Sequence, residues 1–203
     1  MTEKRDQVPD QVAGLLLAAG GGRRLGGRPK ALLEHRGGLL VEHAADALRA
    51  AGCDPVHVVL GARAEDVRQR AVLPGCVLVD NPEWAEGMGS SLRAGLASLR
   101  STPARAVLVS LVDQPGIGSA AMSRVLAAHT SDESLVAASY DGKRGHPVLF
   151  GAAHWAGVAA VAVGDRGARD YLRARDDTVT LVECGDVAQP YDIDVTADLE
   201  RLA

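Results

Sequence analysis

Aromatic side chains are scarce: one Phe, two Trp and three Tyr in 203 residues. The core must therefore be built from Leu, Val, Ala and Ile, and single-stranded nucleic acid finds no platform on which its bases could stack. The three cysteines, Cys53, Cys76 and Cys184, form no C-x-x-C pair. Neither a disulfide framework nor a zinc site is indicated, and a reducing, cytoplasmic setting is expected. No apolar run approaches the roughly 18 residues that cross a membrane as a helix. A net charge of −4 gives no overall attraction to nucleic acid or to an anionic membrane, so neither is expected as a partner and any anion site must be local. Residues 1–10 do not read as a secretory leader, because Glu3, Asp6 and Asp10 outweigh Lys4 and Arg5 and Pro9 interrupts the stretch. They are expected to form a mobile tail ahead of one domain over 11–203.

What the chain does have is an apolar run over 12–19 that stops at Gly20, Gly21 and Gly22, with Arg23, Arg24, Arg28 and Lys30 close behind. A buried strand feeding a glycine loop lets backbone N–H groups approach an anion closely. Four cations crowded into one loop repel one another unless something negative sits among them, and a polyphosphate is the simplest candidate. Two familiar phosphate loops do not fit. A Walker A loop needs Ser or Thr after its Lys, whereas the window from Gly22 to Gly27 runs on into Arg28 and Pro29. The dinucleotide fingerprint needs a third glycine where Leu25 stands, and Pro29 argues against a helix running smoothly out of the loop.

Beyond the loop, apolar runs alternate with helical spacings. Leu40, His43, Ala44, Ala47 and Leu48 fall on one face of a helix over 39–51. Strands are predicted over 56–60, 77–79 and 106–112, and helices over 64–70, 92–99 and 119–129. This alternation implies a parallel sheet with helices on its faces, and a ligand site beyond the carboxyl ends of the strands. Ser90 or Ser91 is placed to cap the helix over 92–99, whose N-terminus suits a polar ring edge or an anion. Asp113 stands at a strand end before Gln114 and Pro115, a position suited to a hard cation such as magnesium, which needs only one or two carboxylates besides substrate phosphates. Two more strands, over 135–139 and 147–150, flank a connection that carries His146. Asp165 is placed to cap a helix through Leu172. After a strand over 178–183, Asp192 and Asp194 alternate about Ile193, and a strand there puts both carboxylates on one face. Such a pair is disfavoured without a cation near it. A last helix is predicted over 197–202.

L-A-A-G at 17–20, followed by Arg24, Leu25, Gly26 and Lys30, resembles the signature loop of the nucleotidyltransferases that activate sugars and cofactors, in particular the branch acting on the molybdenum cofactor. The run N-P-E-W-A-E-G-M-G-S-S-L-R-A-G-L from Asn81, G-H-P around His146, G-D-R-G-A-R from Gly164 and D-I-D around Ile193 are similar to segments of the molybdenum cofactor cytidylyltransferases. The resemblance spans nearly the whole chain. It implies an α/β fold of the nucleotide-diphospho-sugar transferase type: a single-domain, Rossmann-like, mostly parallel sheet with helices on both faces.

The same resemblance implies a magnesium-dependent transfer of CMP from CTP to the terminal phosphate of a molybdopterin-type acceptor, with release of pyrophosphate. A molybdoenzyme or its maturation factor is the implied recipient of the product. Leu17, Ala18, Ala19, Gly20, Gly21, Gly22, Arg24, Lys30, Asp80, Gly89 and Ser90 are the expected nucleotide contacts. Arg24, Lys30 and Asp113 carry catalysis, Asp113, Asp194 and then Asp192 hold Mg2+, and His146 and Arg169 face the acceptor. L-A-A-G, rather than the L-A-G-G of GTP-using enzymes, points to CTP, since the Ala19 methyl suits a pyrimidine better than a purine. A guanylyltransferase and a non-catalytic nucleotide-binding regulatory module are the alternatives. The combination of Lys30, Asp113 and Asp194 speaks against the module, because binding alone needs no metal site.

Overall fold

The computed structural model describes residues 11–202; the expected tail over 1–10 lies outside them, as does Ala203. The first strand, β1 (Val12–Leu17), is buried along almost its whole length, which its unbroken apolar sequence requires of a central parallel strand. Short 3₁₀ turns at Arg23–Leu25 and Lys30–Leu32 lead to a small two-stranded ladder, β2 (Glu34–His35) and β3 (Gly38–Leu39). There follow α1 (Leu40–Ala50), β4 (Val56–Leu60), α2 (Ala64–Arg70), β5 (Cys76–Asp80), α3 (Met88–Ser98) and β6 (Ala106–Leu111). The rest comprises α4 (Ser119–Leu126), β7 (Leu135–Tyr140), β8 (Lys143–Gly151), α5 (Trp155–Val161), α6 (Arg169–Arg173), β9 (Thr180–Glu183) and a 3₁₀ turn at Thr196–Leu202.

Seven strands form one sheet in the order β5-β4-β1-β6-β8-β7-β9. β5, β4, β1 and β6 run parallel, β8 is antiparallel to both β6 and β7, and β9 is parallel to β7. The alternation of side chains divides the core in two. Leu16, Val58 and Leu108 face a layer that includes Leu48 of α1 and Met122 of α4. Leu15, Val59 and Val107 face Leu92 and Leu96 of α3 and Val158 of α5. This is the mostly parallel α/β sheet, covered on both faces, that the sequence pattern implies.

Several boundaries differ from expectation. The helix predicted over 92–99 begins at Met88, so Ser90 and Ser91 lie inside it, and its N-cap, Gly87, makes no side-chain capping bond. The helix predicted over 119–129 ends at Leu126, and β9 starts at Thr180. The connection expected over 140–146 is a two-residue turn, Asp141 (φ 52°) and Gly142 (φ 73°), which matches the right-handed twist of a β-hairpin. Lys143 to His146 therefore belong to β8. Residues 191–194 form neither helix nor strand and join no ladder, and the expected last helix is a 3₁₀ turn.

Candidate active site

Past the carboxyl ends of β1 and β6 opens a cleft of about 1520 Å³, larger than the roughly 300–1,000 Å³ that holds one small molecule. Its size suits two ligands side by side. Its lining includes Gly20, Gly21, Gly22, Arg23, Arg24 and Lys30 from the loop after β1, and His146, Arg144, Arg166, Arg169 and Arg173 from later in the chain.

The loop after β1 folds back on Gly22, whose carbonyl accepts the N–H groups of Leu25 (2.8 Å) and Gly27 (3.0 Å). Gly22 holds a left-handed conformation (φ 60°, ψ 40°), and a Cβ there would overlap the Arg28 carbonyl, so the return needs glycine. Leu25 and Ala31 are buried as anchors. Between them Pro29 is extended, and the turn it opens points Lys30 at the cleft.

Lys30 donates from Nζ to Asp113 Oδ2 at 2.6 Å and to Asp194 Oδ1 at 2.5 Å. Asp113 follows β6, where the Ile193 N–H donates to its carbonyl at 2.9 Å. Asp194 is fixed from the far side, because the Asp198 carboxylate accepts the N–H groups of Asp194 and Val195, each at 2.9 Å. Those two main-chain bonds hold the Asp198 carboxyl below its ordinary pKa. Arg24, 69% exposed, adds a weaker contact from its guanidinium to Asp194 Oδ2 at 3.2 Å.

Burial pushes the Asp113 carboxyl above its ordinary pKa despite the opposing pull of the Lys30 charge. Burial also works against the Lys30 ammonium, but there the two carboxylates prevail and its pKa is raised.

The donor chemistry fits a magnesium-like ion. Two carboxylates from distant parts of the chain already converge on one cationic centre, which is the share a magnesium ion takes from protein when phosphates and water supply the rest. The third expected ligand does not join them: Asp192 Oδ1 accepts from Gln114 Nε2 at 2.8 Å. Among the described residues no group of three or more His, Cys, Asp and Glu side chains could hold a metal by itself, and an ion here would draw its remaining ligands from phosphate oxygens and water.

The remaining expected residues separate into two groups. Leu17 and Ala19 line the cleft with the glycines, and His146, Arg169, Asp192 and Asp194 line it elsewhere. Ala18, Asp80, Gly89 and Ser90 do not line it. The side chain of Ala18 points into the opposite core layer, as alternation along an extended segment requires. Asp80 ends the edge strand β5, is 67% exposed and pairs with Arg68 at 2.9 Å. A Cβ on Gly89 would lie 2.7 Å from the Ala162 carbonyl, so its lack of a side chain serves packing. Ser90 turns inward, donating to the carbonyls of Glu83 and Gly87 and accepting from Asn81 Nδ2 at 2.9 Å. Asn81 also reaches Ser91 Oγ at 3.0 Å, and Ser91 lines the cleft where Ser90 was expected. Asp165 also lines the cleft, and its expected role as a cap is not seen, since Ala168 precedes α6 with no side-chain capping bond.

His146 is held neutral: burial pushes its pKa down to about 4, outweighing the opposing charge of Asp192. A neutral imidazole can exchange hydrogen bonds with a heterocycle but brings no charge to a phosphate. Positive charge in the cleft comes instead from Lys143, Arg144, Arg166, Arg169 and Arg173. Of these the sequence motif from Gly164 pointed to Arg166 and Arg169 and not to the other three. Trp84 was also missed, although it sits in the N-P-E-W run; its indole packs against Gly21 and Gly61 at the loop end of the cleft.

Residues 14–179 match the MobA-like NTP transferase domain. The chain is 42% identical over 197 residues to the nicotine blue oxidoreductase of Paenarthrobacter nicotinovorans, covering 94% of this chain and 96% of that one. It is 29% identical over 140 residues to a molybdenum cofactor guanylyltransferase of Shewanella loihica, covering 69% of this chain and 68% of that one. Its structure resembles that of Rv0371C from Mycobacterium tuberculosis H37Rv in complex with manganese, with a TM-score of 0.76, 28% identity and 95% and 97% of the two chains covered.

Proposed function

Because the chain belongs to the MobA-like NTP transferase family, we propose that it transfers CMP from CTP to the terminal phosphate of a molybdopterin-type acceptor, with magnesium at Asp113 and Asp194. The observation that carries this reading is the meeting of Lys30, Asp113 and Asp194 within hydrogen-bond distance at the mouth of a glycine loop. Pure nucleotide binding has no use for that arrangement.

In the reaction an acceptor phosphate oxygen bonds to the α-phosphorus of CTP, the bond from that phosphorus to the bridging oxygen breaks, and pyrophosphate departs. The nucleophile is already an oxyanion, so no side chain need take its proton. The protein's task is to hold two polyanions together and to stabilise negative charge as it moves to the leaving group. Gly20, Gly21 and Gly22 offer backbone N–H groups to the triphosphate, and Arg24 and Lys30 offset its charge. Asp113 and Asp194 would hold a divalent ion, which would supply Lewis-acid neutralisation of the phosphate oxygens. Arg169 and the neutral His146 orient the acceptor, the first by charge and the second by hydrogen bonding.

The identity to a nicotine blue oxidoreductase supports a second reading, reduction of a flat conjugated ring. Leu17, Val109, Leu111, Val148 and Phe150 give the cleft an apolar wall against which such a ring would lie. One experiment separates the two. The protein is incubated with MgCl2, CTP and molybdenum cofactor, and pyrophosphate is measured; in parallel, nicotine blue is offered with NADH and its bleaching followed. Pyrophosphate that depends on both substrates and disappears with chelator supports the transferase. Bleaching without pyrophosphate overturns it.

A further inference from the structure

Lys30 stands where a divalent ion would have to be held. Its ammonium touches an oxygen of each carboxylate, at 2.6 Å and 2.5 Å. The carboxylates are positioned by main-chain bonds, Ile193 to Asp113 and Asp194 to Asp198. Lys30, by contrast, is a charge on a flexible four-carbon stem. A cation arriving alone must displace this ammonium from both short contacts into a cleft already lined by Arg23 and Arg24. A triphosphate in the same cleft offers it a multiply charged partner in exchange.

Resting on the reading of Asp113 and Asp194 as ligands, we propose that Lys30 is the resident counter-ion of this site in the free protein. It blocks a lone divalent ion and yields to one that arrives with nucleotide. Metal and triphosphate then bind as a unit, each raising the affinity for the other by the same factor, as linkage requires. In the free protein Lys30 is thus an inhibitor of metal binding, although it serves the nucleotide once both are present.

The test is titration with Mn2+ alone, free ion being followed by electron paramagnetic resonance, for wild type, Lys30→Gln and Lys30→Met. Both variants are expected to bind Mn2+ at least about tenfold more tightly than wild type, within the usual range of coupling between sites. A non-hydrolysable CTP analogue is expected to raise wild-type affinity by a larger factor than it raises that of either variant. Equal or weaker binding by the variants, or no binding by any of the three, overturns the proposal. Should the variants fail to fold, the ζ-ammonium signals of 15N-lysine wild-type protein decide. One of them is expected to stay in place on adding Mg2+ alone and to move when the analogue is added as well; movement with Mg2+ alone overturns the proposal. Pyrophosphate release is read separately on wild type, so tight Mn2+ binding by the variants together with no pyrophosphate release by wild type would sink the activity and leave this inference standing.

Discussion

The main-chain N–H of Ile193 donates to the carbonyl of Asp113 at 2.9 Å, and this one bond ties the last extended segment of the chain to the end of β6. Ile193 is fully buried, so the residues on either side of it must face the cleft. The two carboxylates that meet Lys30 are brought together by this clamp and by the Asp198 contacts, without a strand ladder.

Removing the cation they share has a direct consequence. Lys30→Ala is expected to keep the fold at a cost in stability, because it leaves the buried Asp113 carboxylate without its cation. Turnover should fall on the order of 10²- to 10³-fold or more, as it does when one stabiliser of transition-state charge is removed. Circular dichroism checks the fold and pyrophosphate release the rate; near-native turnover would refute the role.

Base choice follows from the wall beside the loop. The Ala19 methyl lies close to Gly61 and Trp84, narrowing that end of the cleft. CTP is therefore expected to outcompete GTP at equal concentration, and Ala19→Gly to weaken the preference. Faster transfer from GTP in the wild type would reverse the assignment.

The same wall predicts a cost in stability. A Cβ on Gly61 would run into Trp84 and lie 2.8 Å from the Ala19 Cβ. Gly61→Ala should destabilise by about 1–3 kcal/mol, the usual penalty for overpacking, and should weaken nucleotide binding as the indole shifts. Denaturant midpoints and CTP titration measure the two effects, and an unchanged midpoint would show that the indole is free to move.

His146 gives a pH dependence with a definite sign. Its pKa in the folded protein, about 4, lies below the roughly 6.5 of a free imidazole. Between those values the unfolded chain binds the proton and the folded one does not, so stability falls as pH falls from about 6.5 towards 4. His146→Asn should lose stability less steeply over that window in urea titrations. Parallel curves for the two proteins would place the imidazole in open solvent.

Much of this was legible in residues. An unbroken apolar run reads as a strand buried on both faces, which β1 is, and three glycines among four cations read as an anion loop, whose glycines line the cleft. The acids at 113 and 194 were expected together through the family resemblance; what the residues did not show is how they meet, through Ile193 pairing outside any ladder. Ser90 and Ser91 could not be told apart because α3 starts one turn early, which sends one serine inward and leaves the other on the cleft. Asp141 and Gly142 are a strong hairpin signal, and reading them as part of a longer connection hid the strand residues Lys143 and Arg144. Asp80 and Gly89 were assigned by their place in a motif; an edge strand and a helix crossing claimed them instead.

β8 runs against its neighbours between β6 and β7, and that reversal divides the labour of the molecule. The glycine loop and Lys30 follow β1 and Asp113 follows the tip of β6, whereas His146 and Arg144 stand on the reversed strand. On the function proposed above, a change in the hairpin would alter which molecule is received while leaving Lys30 and the two acids in place, so clientele and chemistry would be free to diverge on one scaffold.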